Sequence, residues 1–187
     1  MTNKEKSIHN LHQARTAHIR WVNAIKLLVS GIDVSLESIA LIPTDSPFGK
    51  WFYAEAMLFS QGSSRLVLEE IETLLLTLHD KYTKIYPIYY GHKKKTLLGS
   101  LLGVKNKASE PEIELSQRYY EEIILLSDQL KHKLRVLESQ LLSMGEEKFT
   151  LVSGLSNSTA STAMEPKILE TPESEEEAYF YGTRGRG

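Results

Sequence analysis

Between residues 115 and 141 the chain places Leu115, Tyr119, Ile123, Leu126, Leu130, Leu134, Leu137 and Leu141 at steps of three or four. Residues so spaced share one face of an α-helix and scatter over both faces of a strand, so this segment is a helix that buries one side. Pro111 suits a first helical position and Gly145 a stop, so the predicted helix runs from about Pro111 to Met144. Three to four heptads of this kind permit a coiled-coil contact with a partner as well as packing within the chain.

Three other stretches carry the same periodicity. Ile8, Leu11, His18, Val22, Ile25 and Val29, with Ala14 in the gap, predict a helix from about Lys4 to Ser30 that Gly31 ends. Ser46 as cap and Pro47 at the first position open a shorter helix carrying Trp51, Phe52, Ala54, Met57 and Leu58, closed by Gln61 to Ser64. Val67, Ile71, Leu74, Leu78, Tyr82 and Ile85 predict a third helix from about Ser64 to Tyr86, with Leu75 and His79 beside the stripe. Pro87 lacks an amide donor and is expected to kink or end it. Residues 39–42 suit a short strand but have no evident partner.

Helices striped on one face and joined by short breaks bury those stripes against one another. The expected fold is all-α: a four-helix bundle with a long fourth helix and a flexible C-terminal tail. Residues 1–90 form the helical core, 91–110 a basic loop, 111–149 the long helix, and 150–187 a disordered tail rich in Ser, Thr and Glu.

Composition narrows the function. The chain has no cysteine, which excludes disulfides, thiolate catalysis and thiolate metal ligation. The net charge of −2 gives no global electrostatic case for nucleic acid. Runs such as Leu74-Leu75-Leu76 are far too short to span a bilayer. The polar first ten residues lack the apolar core of a secretory signal, so the expected compartment is the cytoplasm. Asp33, Asp45 and Asp80 are scattered and do not pair as a general acid and base would. With no phosphate loop, hydrolase elbow or dinucleotide fingerprint either, no enzyme is expected.

Two histidines stand on or beside apolar stripes, His18 with Trp21 three residues on, and His79. An imidazole facing a bundle interior needs partners for its ring nitrogens. A hydroxyl or carbonyl satisfies a neutral ring, and a metal ion does so equally well.

Taken together, His18-Ile19-Arg20-Trp21, then Ser46-Pro47-Phe48-Gly49-Lys50-Trp51, then Leu75-Leu76-Thr77-Leu78-His79 resemble the chemoreceptor zinc-binding domain over roughly residues 11–90. That family has a histidine three residues before an aromatic, a cysteine leading a Phe-Gly-Lys-Trp-like run, and two histidines four apart. The resemblance implies a small four-helix bundle that binds one zinc through three histidines and a cysteine. It also implies a sensor accompanying bacterial chemoreceptors and enzymes that make cyclic dinucleotides, and it suggests dimers. Carried across, His18 matches the first ligand and His79 the last, while the cysteine position holds Ser46 and the remaining histidine position Leu75. An alternative register sets His79 first and Thr83 second and still lacks a histidine.

With two of four ligands replaced, the expectation is a fold kept and a metal lost, Leu75 filling the vacated space and the two histidines bonding to Ser46. The alternative is a residual zinc site of His18, His79 and Asp45. The leading functional expectation is a non-catalytic regulator or adaptor in bacterial signalling or motility, with no cofactor. It would bind a protein partner, or a second copy, through Leu126, Leu130, Leu134, Leu137 and Leu141. The tail offers another dock, since the acidic Glu175-Glu176-Glu177 precedes Tyr179, Phe180 and Tyr181, in the form of a short docking peptide or of an inert end. Lys93, Lys94 and Lys95 ahead of Leu97 and Leu98 form a solvated loop or a basic segment at a membrane surface. His9 and His12, three apart, are a solvated pair or a surface metal clip.

Overall fold

The computed structural model describes residues 2–91 and 108–162, with side chains to residue 154. The Lys93–Lys95 segment and Tyr179, Phe180 and Tyr181 lie outside the described residues. Helix α1 spans Asn3–Val29 and α2 Pro47–Ala54, with 3-10 turns at Leu36–Ser38, Pro43–Asp45 and Ala56–Phe59. Helix α3 spans Arg65–Tyr90, α4 Glu110–Ser143 and α5 Glu146–Thr162. The fold is all-α, and among the described residues there is no strand. Nor is any described helix long and apolar enough to cross a membrane.

Helix starts are set by side chains that satisfy the free amides of a first turn. Thr2 and Glu5 form a reciprocal capping box on α1, Ser109 and Glu112 do so on α4, and Ser46 caps α2 with Pro47 at the first position.

Register between the long helices is written in cross-pairs. Helix α4 lies antiparallel to α3, through Glu70 with Lys133, Lys81 with Glu122, and Tyr89 Oη with Ser116 Oγ at 2.8 Å. It is antiparallel to α1 too, through His18 with Ser127, His12 with Glu138 and Lys4 with the end of α4. Lys4 Nζ donates to the carbonyls of Leu142 and Met144, 2.7 Å each, and so closes the C-terminus of α4. Lys4→Ala is expected to cost about 1 kcal/mol in a urea melt, the lower range for charged hydrogen bonds because the site is partly exposed.

Four expectations change. First, Leu130, Leu134, Leu137 and Leu141 are buried in the chain's own core and Leu126 is partly buried against it, so this stripe is not a free surface for a partner. Burying it against α1 and α3 is what lets the bundle close. Second, the tail does not begin at residue 150: α5 continues to Thr162, and Phe149 is fully buried against Phe59, ring centroids 4.9 Å apart. Third, of the two outcomes expected at Pro87, a kink or an end, the end does not occur: α3 runs on to Tyr90. The last turn is held by bonds beyond the proline: Tyr89 to Ser116, and Tyr90 Oη to the Val34 carbonyl at 2.9 Å. Fourth, residues 39–42 pair with aromatic donors in place of a strand. Trp21 Nε1 donates to the Ala40 carbonyl at 3.0 Å and His79 Nδ1 to the Leu41 carbonyl at 3.1 Å.

Candidate functional site

α1 contributes His18 and Trp21, α3 contributes Leu75 and His79, and the start of α2 contributes Ser46 and Phe48. All six line one small cavity of about 10 Å³ beside Ala17 and Pro47. The four positions matched to zinc ligands in the resemblance, His18, Ser46, Leu75 and His79, thus meet at one point although they span three helices. Such a volume is at the lower limit for a single water.

Each polar group at this point has a structural partner. His18 Nε2 is 2.9 Å from Ser127 Oγ on α4, and both residues are buried. His79 Nδ1 must donate to Leu41, because a carbonyl only accepts. Its Nε2 therefore carries the lone pair while the ring is neutral. Among the described residues no hydrogen bond reaches the second nitrogen of either ring. Ser46 Oγ donates to the Pro43 carbonyl at 2.7 Å and accepts from the Gly49 amide at 2.9 Å. The histidines accordingly bond to Ser127 and Leu41, not to Ser46.

Burial lowers the His18 imidazole to about 4, with the charge of Lys131, and that of His79 once it is protonated, adding to the effect. Burial lowers His79 as well, against the opposing pull of its bond to Leu41. Both rings are therefore neutral near pH 7. Aromatic contacts complete the packing. Trp21 meets the His79 ring with centroids 4.7 Å apart and the His18 ring at 6.2 Å, and Phe48 meets His18 at 5.6 Å.

This donor set does not fit a four-coordinate zinc. Leu75 offers only hydrocarbon, and Ser46 Oγ is held by its helix cap. Asp45 does not join the histidines: it is exposed on the Pro43–Asp45 turn and outside the cavity lining. Among the described residues no group of three or more His, Asp or Glu could hold a metal ion. His12 pairs with Glu138 at 2.7 Å, and His9 with Gln13 at 2.8 Å, so these two do not act together. A serine bonded to a histidine is the core of a nucleophile–base pair; here both residues are buried, and Ser127 does not line the cavity beside His18.

Sequence reasoning missed Ser127 and Gly49. Ser127 lies four residues after Ile123 and three before Leu130, so it occupies a core position of α4 that the apolar Leu126 beside it conceals. A serine on such a stripe signals a buried polar partner on another helix. Gly49 is fixed by close approach, since a Cβ there would lie 2.7 Å from the Pro43 carbonyl carbon and closer still to its oxygen.

Compared with known proteins, the chain matches no family model, no curated protein and no solved structure.

Proposed function

We propose that this chain is a non-catalytic regulator or adaptor of bacterial signal transduction or motility. In this reading it is a helical bundle of the chemoreceptor zinc-binding type in which the metal centre has become packed core. The observation that carries it is the convergence of His18, Ser46, Leu75 and His79 on one cavity of about 10 Å³. The positions that match the ligand set in sequence are all buried at this one point, and two of them are filled by a hydrocarbon side chain and a helix cap. The leucines of α4 being buried, partner contact passes in this reading to the aromatic tail at Tyr179, Phe180 and Tyr181. The test is a calorimetric zinc titration of metal-free protein. The reading expects no sub-micromolar binding.

One observation favours a metal-responsive sensor instead. Nδ1–H of His79 donates to a backbone carbonyl, the arrangement that presents Nε2 to a metal. Sub-micromolar zinc binding that is lost in His18→Gln and His79→Gln would select that reading over the first.

A further inference from the structure

Through its described side chains helix α5 meets the core mainly at Phe149, with Val152 packed beside it. Among its described side chains only Phe149 is buried, while Val152 and Ser153 are partly covered and Glu146, Glu147, Lys148, Thr150 and Leu151 are exposed. It is joined to α4 by two residues, Met144 and Gly145. The break between the two helices lies at Met144, whose backbone is extended at φ −71° and ψ 129°. Were Met144 helical, α4 and α5 would be one helix from Glu110 to Thr162. Phe149 would then stand about 9 Å beyond the end of α4, away from its own Phe59.

Lys4 bonds the carbonyls that a continuous helix would use. In a continuous helix the carbonyls of Leu142 and Met144 accept from the amides of Glu146 and Lys148. In the closed form Lys4 Nζ holds both carbonyls. The clamp and the helix extension compete for the same acceptors.

We propose that α5 is an exchangeable arm: two copies of the chain trade it, each Phe149 packing on the Phe59 of the other. A second copy is the occupant because the site already accepts this segment in cis, so an identical arm makes the same contacts without any new interface. With a two-residue hinge, few backbone positions have to change for such an exchange. The proposal does not depend on whether the core carries a cation.

The chain has no native cysteine, so engineered ones report cleanly. Phe59→Cys chains and Phe149→Cys chains are mixed, refolded together at high concentration and oxidised, with helix content checked by circular dichroism. The expected product is a disulfide-linked heterodimer between positions 59 and 149. Independently, light scattering is run on M144A/G145A, alone and combined with Lys4→Ala. Alanine at position 145 meets nothing within 4 Å, so the hinge variant should fold and should raise the dimer association constant about tenfold. Adding Phe149→Ala should abolish that dimer. Three results would each overturn the proposal: a hinge variant that stays monomeric at every concentration, a mixture that forms no 59–149 link, or a dimer that survives Phe149→Ala.

Discussion

Gly49→Ala is expected to cost about 3 kcal/mol and to lower the melting temperature by about 10 °C, although in an ordinary helix the same change stabilises by up to about 1 kcal/mol. The reversal comes from what lies against the Cα. The Pro43–Asp45 turn presses the Pro43 carbonyl onto Gly49, and a Cβ would lie 2.7 Å from the carbonyl carbon and closer to the oxygen. Backbone, not a flexible side-chain end, must move, so the overpacking cost falls at the upper end of its usual range. The same carbonyl accepts from Ser46 Oγ, and Ser46 caps α2 through the Gly49 amide. Displacing the turn therefore also loosens the cap, itself worth about 1 kcal/mol. A thermal melt of Gly49→Ala that matched or exceeded the parent would refute this account of the α2 start.

Acid is expected to weaken the bundle between pH 6.5 and 4, with His18 responsible for about 3 kcal/mol of the loss. The folded imidazole is lowered from 6.5 to about 4. Between those values the unfolded chain binds a proton that the folded chain does not, so stability rises with pH there. The contribution is complete above about 6.5 and drains away as the pH falls towards 4. His79, lowered in the same direction, adds to the loss. Among the described residues, the groups recorded against His18 are Trp21, Phe48, Ser127 and, at longer range, Lys131 and His79, with no carboxylate. Urea melts of the parent and of His18→Gln at about pH 7 and about pH 4.5 separate this from general carboxylate protonation. The variant should lose distinctly less stability on acidification. Equal losses in both chains would remove His18 as the cause.

What was legible in the sequence was whatever local physics decides. Ser46-Pro47 and the apolar steps of α1, α3 and α4 placed the helix bodies, because caps and periodicity act within a turn or two. What escaped was decided by contacts distant in sequence. The proline at 87 stays inside α3 because Tyr89 and Tyr90 find Ser116 and Val34, neither of which local spacing reveals. Residues 150–162 read as tail from their Ser and Thr content, yet they continue a helix that Phe149 anchors on Phe59. His18 and His79 were singled out correctly as inward-facing, but their partners were not. Ser127 is 109 residues from His18, and the Leu41 acceptor is backbone, which every residue offers. The leucine stripe was read correctly as a buried face and wrongly as one available to another protein, since periodicity shows that a face is covered and not by what.

In the proposed reading, His18, Ser46, Leu75 and His79 are the outline of a metal centre whose donors have been exchanged for packing. Zinc calorimetry on the parent beside S46C/L75H tests it most directly, because the double variant returns a thiolate and an imidazole to the positions that lack ligands. The account predicts no sub-micromolar zinc binding by the parent and a newly gained sub-micromolar site, with a stoichiometry of about one, in S46C/L75H. Tight binding by the parent, or none by the double variant, would contradict it.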